Sequence, residues 1–152
     1  MLETPHAIIG ASLATKIPNP LISLPLALGS HFVLDKIPHW NPHLNTETKR
    51  YGKVTRKTTA IVALDISFAF VSILFIASRA TSEHQFVIII LGAFLGILPD
   101  LVEGPYFFLN WKSKLVERWI RFQKSIQVDT SLIPGLLTQL VTIAASLLWI
   151  YF

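Results

Sequence analysis

The sequence predicts an all-α integral membrane protein: a short N-terminal helical hairpin, about three spanning helices and one interfacial amphipathic helix. Three observations predict it. Of the 152 residues, 52% are hydrophobic and only 14% charged, where a soluble domain carries about 25% charged residues. The apolar residues gather into discrete segments rather than scattering. Ten of the 13 basic residues fall in just two of the intervening stretches. The chain has no cysteine, which excludes disulfides, thiolate metal sites, iron–sulfur clusters and cysteine nucleophiles. The opening "MLETPHAIIG" carries an early acidic residue and no basic n-region, so it does not read as a cleaved signal peptide.

The segments form a single membrane domain over 1–152. The first, about 5–17, rises only ~20 Å as a helix, less than a ~30 Å hydrocarbon core. Thr4-Pro5 reads as its N-cap followed by proline at the first helical position. "IPNP", 17–20, reads as a turn, because two prolines do not continue a helix. The second segment, about 21–37, contains Pro25, Gly29, His31, Asp35 and Lys36 and is unsuited to facing lipid. The third, 59–78, is interrupted only by Asp65 and a few hydroxyls. The fourth, 85–102, contains "GAFLG", a small-xxx-small pattern that permits close helix approach and offers Gly92/Gly96 as a face for a homo-oligomer. The fifth, 132–152, ends in "WIYF", an aromatic anchor suited to an interface.

The basic stretches are 40–57, with Lys49, Arg50, Lys53, Arg56 and Lys57, and 110–129, with Lys112, Lys114, Arg118, Arg121 and Lys124. Two crossings separate them, so both fall on one side, which the positive-inside rule makes cytoplasmic. Within the second, at about 110–127, Trp111, Leu115, Trp119, Phe122 and Ile126 recur at helical spacing with the basic residues elsewhere around the axis. That pattern fits a helix lying on an anionic leaflet.

The ionisable residues inside the apolar segments gather toward that same side. His6, Asp35, His39, Asp65, Asp100 and Glu103 all lie there, with His31 about two turns deeper than His39. A charged group at the bilayer centre costs at least ~2.5–3.5 kcal/mol on insertion scales, and the segments hold too few cations to neutralise these carboxylates. A bound metal would neutralise several. His31, Asp35 and His39 stand at i, i+4 and i+8, one stripe of a helix. His31 and His39 are nonetheless ~12 Å apart along an ideal axis. Either Asp35 bridges two ions, or Pro38 ends the helix and lets His39 fold back. The candidate metal ligands are His6, His31, Asp35, His39, Asp65 and Asp100, for one or two ions. Mixed His and Asp donors without thiolate suit Zn²⁺, Mn²⁺ or Fe²⁺. Such an ion polarises phosphoryl and carbonyl oxygens and generates hydroxide near neutral pH. Asp100 and Glu103 are then candidate catalytic groups. Lys49, Arg50, Lys53 and Arg56 are candidate contacts to the phosphate of a lipid or phosphoester substrate. Membrane lipids are the expected partners, and nucleic acid is not expected. His43 and His84 read as loop histidines, and Ser30 lacks a nucleophile-elbow context. The competing class is a small cation or proton transporter using the same His/Asp cluster; a purely structural scaffold would have no need of Asp35 or Asp65.

"TPHAIIG" followed by "LGSHFVLDKIPHW" resembles the opening of small bacterial membrane-bound metal-dependent hydrolases, over roughly the first 40 residues and, less closely, at "ILPD". The resemblance implies a helical membrane protein of a bacterial or archaeal cytoplasmic membrane, with His6, His31, Asp35 and His39 among the ligands. The later His-Arg-Gly-x-Thr-His-Ser type element of that family is missing here. The HxxxD element is also similar to one in zinc-dependent phospholipase C and related nucleases, which are soluble.

Overall fold

A computed structural model describes residues 1–152. Eight α-helices follow in order: α1 Glu3–Lys16, α2 Pro20–Leu34, α3 Leu44–Tyr51, α4 Arg56–Ala77, α5 Glu83–Leu101, α6 Gly104–Phe108, α7 Lys114–Ile126 and α8 Leu132–Tyr151. The protein is an all-α membrane protein. Helices α4, α5 and α8, of 22, 19 and 20 residues, are long and apolar enough to cross a bilayer. Their outward rows, such as Phe68, Phe70 and Val71 on α4 or Leu137, Leu140 and Val141 on α8, are exposed large hydrophobics that only lipid would cover.

The N-terminal hairpin is not an appendage. α1 sits at the centre and packs against α2, α4, α5 and α8. Its composition makes this possible, because Ala7, Gly10, Ala11, Ser12 and Ala14 are buried with little side-chain volume. α1 and α5 run antiparallel in near backbone contact. A Cβ on Gly96 would lie 2.5 Å from the His6 carbonyl oxygen, and one on Gly92 would lie 2.6 Å from both Ala14 Cβ and the Gly10 carbonyl oxygen. The "GAFLG" pattern therefore serves an internal contact. The Gly92/Gly96 face expected for a homo-oligomer is covered by α1 of the same chain.

The start of α1 differs from its sequence reading in a way that matters for the site. The helix begins at Glu3 with Leu2 at the cap and no capping side chain of its own. Thr4 lies inside the first turn, and the cap comes from α4. Asp65 accepts from the Glu3 amide (2.6 Å), the Thr4 amide (3.2 Å) and the Thr4 hydroxyl (2.7 Å). These are orphan donors of a helix N-terminus, and a carboxylate there also complements the helix dipole. The "IPNP" turn is as expected, with Asn19 capping the Leu21 amide and Pro20 opening α2. α2 ends at Leu34, three residues short of the expected 37.

Chain direction then places all long polar connections at one end of the bundle. The ends of α2 and α5 and the starts of α1, α4 and α8 lie there, together with α3, α6 and α7. The opposite end holds an apolar cluster of Ile8, Ala11, Ala14, Ile76, Ala77, Ile89 and Ala93.

Candidate metal centre

The polar end of the bundle is built around Asp35, which caps α2 and is buried. Its Oδ1 lies 3.3 Å from His6 Nε2 and 3.8 Å from His39 Nε2, and its Oδ2 lies 3.5 Å from His31 Nε2. The Met1 amino group donates to Oδ1 and the Gln127 amide to Oδ2. His6 and His31, from antiparallel helices, stack face to face with ring centroids 4.0 Å apart. His6, His31 and Asp100 each present one donor atom within 4.8 Å of the others, a group able to hold a metal ion.

The hydrogen bonds around His31 state what the centre lacks. Nδ1 lies 2.9 Å from the Gly96 carbonyl oxygen, an acceptor only, so Nδ1 carries the proton. This is the arrangement that fixes the tautomer of metal-binding histidines. Nε2 faces Gln123 Oε1 at 3.0 Å, Asp35 Oδ2 at 3.5 Å and Asp100 Oδ1 at 3.7 Å. Gln123 has no other orientation available, because its Nε2 donates among the Pro99 carbonyl, Asp100 and Glu103, all acceptors. Oxygen acceptors thus surround the other ring nitrogen, an arrangement that calls for a positive charge at Nε2, carried by a proton or by a metal ion. His6 is fully buried: its Nδ1 has no polar partner, and its Nε2 has only the 3.3 Å contact to Asp35 Oδ1, which falls short of hydrogen-bond geometry. Burial of unpaired polar atoms costs ~1–3 kcal/mol each, so a cation among these donors relieves several penalties at once.

The other ligand candidates are placed differently. His39 does fold back once α2 has ended, resolving the two arrangements compatible with the sequence. Its Nδ1 donates to the Ile37 carbonyl at 2.7 Å, and its Nε2 accepts from the Asn41 amide at 3.2 Å. Burial pushes the imidazole below its ordinary range, in keeping with a neutral, internally satisfied ring at the edge of the cluster. The backbone of 127–130 lies along it, with His39 donating to the Val128 carbonyl and accepting from the Thr130 amide. Asp65 has both oxygens engaged in capping α1, so it supports the centre from outside rather than joining the donor group. Asp100 is in the donor group, and Glu103 stands beside it, linked through Gln123. Burial pushes the Glu103 carboxyl up to about 7, against the lowering effect of the Gln123 hydrogen bond.

A cavity of about 240 Å³ opens beside the centre, lined by the acidic Glu3, Asp65, Asp100 and Glu103 together with apolar residues such as Val62 and Phe107. Its only lysine or arginine is Lys124, which is itself paired with Asp129. Lys49, Arg50, Lys53 and Arg56, expected at a substrate phosphate, are exposed on α3, the following loop and the start of α4, and none lines this cavity.

Sequence reasoning missed Gln123 and Gln127. Gln123 lies on α7 and Gln127 caps its end; the Trp119 indole of this helix donates to the Pro99 carbonyl and its Ile120 is buried. The available signal was two glutamines four residues apart on the apolar side of an amphipathic helix. α7 therefore covers the centre while leaving Leu115, Phe122 and the preceding Trp111 exposed. No protein-family model, curated protein or solved structure matches this chain.

Proposed function

We propose that this chain is a membrane-embedded, metal-dependent hydrolase acting on a lipid or phosphoester at the cytoplasmic face. The observation that carries the reading is His31, whose Nδ1 is tied to a carbonyl while its Nε2 meets only oxygen acceptors. His6, His31 and Asp100 would hold the ion, with Asp35 between the two histidines. Two imidazoles with carboxylates and no thiolate suit zinc, with manganese or iron as substitutes. A metal there would act as a Lewis acid on a phosphoryl or carbonyl oxygen. Gln123 orients Asp100 and Glu103, and Glu103, titrating near neutrality, is suited to take a proton from water. The cavity, lined by both carboxylates and apolar side chains, suits a substrate with an anionic head and an apolar body only when a cation offsets the carboxylates. The one-sided cluster and the basic loops support a position for this chemistry at the headgroup level of the inner leaflet, by the positive-inside rule. The resemblance of the first 40 residues to membrane-bound metal-dependent hydrolases points the same way.

Cation or proton transport with the same cluster requires a polar route to the other end. The apolar cluster from Ile8 to Ala93 fills that end, which favours the hydrolase.

The test is elemental analysis of detergent-purified protein, with phosphodiesterase and esterase assays on phospholipid vesicles. About one equivalent of a transition metal per chain, absent from His31→Ala and His6→Ala, is the expected result. Metal-free wild type after reconstitution with zinc, manganese and iron would overturn the reading.

A further inference from the structure

A second opening in the molecule points sideways, into the bilayer. α4 and α8 both pack on α1, and a groove of about 490 Å³ runs between them, within the ~300–1,000 Å³ of ordinary ligand pockets. Pro5 and Ile8 of α1 form its floor, and Phe68, Phe75, Leu140 and Leu147 stand in its walls. At the far end α4 and α8 converge: the Phe75 and Tyr151 rings lie 6.3 Å apart, and the Arg79 guanidinium sits over both. At the near end the groove reaches Thr4, Asp65 and Gln139, and Leu2 and Asp65 line both this groove and the cavity beside the metal centre.

We propose that the α4/α8 groove is a binding site for one acyl chain of a membrane phospholipid, held with its head group toward the cavity at the metal centre. Three features select this occupant. The groove is almost wholly apolar and faces the hydrocarbon layer, where only chains or helices are available. Its volume of about 490 Å³ takes a slender aliphatic chain and is too small for a helix ~10 Å across over the same length, and the Phe75–Tyr151 contact bridges α4 and α8 beyond its far end. From Asp65 to Phe75 it is ~15 Å long, about half of a ~30 Å hydrocarbon core, so it matches the depth of a single leaflet. Its polar end then meets the leaflet surface where a head group lies. That this lipid is also the substrate rests on the hydrolase reading; its binding does not.

The chain has no cysteine, so a single thiol can be placed at will. Ser72→Cys puts one in the groove wall, and Phe94→Cys puts one on the exposed surface of α5. The protein is purified, stripped of lipid with detergent, and resupplied with phosphatidylglycerol/phosphatidylethanolamine vesicles. Labelling by an apolar maleimide is then followed alongside native mass spectrometry. We expect one retained phospholipid per chain and labelling at Ser72→Cys slowed about tenfold more by lipid than labelling at the lipid-facing Phe94→Cys. Equal lipid effects at the two positions, or no retained phospholipid, would overturn the site. Protection that follows dimerisation instead of lipid content would assign the groove to a second copy and overturn it as well. Adding His31→Ala separates the two proposals: it removes the metal and leaves lipid protection intact.

Discussion

Asp65 and Gln123 show how much of the centre depends on side chains that need not touch a metal. Asp65 satisfies the α1 amides, so Asp65→Ala is expected to destabilise the protein by about 1–3 kcal/mol through unpaired buried donors. Bound metal per folded chain should stay at the wild-type value, and thermal melting with elemental analysis on the same sample checks both. Gln123→Leu keeps the side-chain volume but cuts the link among His31, Asp100 and Glu103. Loss of such supporting hydrogen bonds weakens metal affinity about 10–100-fold, measurable by competition with a chromophoric chelator. Of the six ligand candidates, His6, His31 and Asp100 were legible from depth and residue type, and they converge on one donor group. Asp65 carried the same marks but has other work, because its partners are backbone amides, which leave no trace in a sequence. Gln123 was hidden for a related reason: it acts across 92 positions from His31, and an uncharged amide draws no attention in an amphipathic pattern.

Among the elements, the α1–α5 pair has the least tolerance. Its backbones meet at Gly10, Gly92 and Gly96, so Gly92→Leu should separate the helices and destabilise by at least ~1–3 kcal/mol, with loss of metal as His6 on α1 leaves Asp100 on α5. Gly29, whose added Cβ meets nothing within 4 Å, is the control, and Gly29→Ala should be close to silent. The short α3 makes a pH-dependent contact at the surface. Glu47 accepts from the Thr58 hydroxyl at 2.6 Å and the Thr55 amide at 2.8 Å, and these bonds hold its carboxyl below the usual range. A depressed carboxyl contributes stability that is fully present above its unfolded value of ~4.3 and is lost as pH falls through the lower folded value. Hydrogen exchange at the Thr55 amide should therefore quicken on acidification below about pH 4 relative to Glu47→Gln, which lacks that dependence. The five apolar segments were legible to within a few residues because length and hydropathy fix them. The helices α3 and α6 were not, since both are short and lie in polar or proline-bearing stretches where tertiary contacts decide.

For the whole molecule, the governing asymmetry is a polar, ligand-bearing end against a dry apolar one. If the basic stretches face the cytoplasm, a membrane-impermeant maleimide should label Thr81→Cys in intact cells and reach Lys53→Cys only after lysis; the reverse pattern would place the chemistry on the outer face. The general plan was legible from charge placement and segment parity. The central position of α1 was not, because a short helix among longer ones reads as peripheral until its small residues are seen to be contact surface on every side. That position also bears on how the protein is made. α1 leaves the ribosome before α4, which caps it, before α5, whose glycines receive it, and before α8, whose Gln139 binds the Leu2 amide. It is too short to cross the bilayer alone and has unpaired donors at its start, so its neighbours must assemble around it late. Biogenesis of this protein should accordingly be sensitive to the insertion machinery that shelters unfinished helices, and truncation ahead of α5 should leave α1 exposed to membrane proteases.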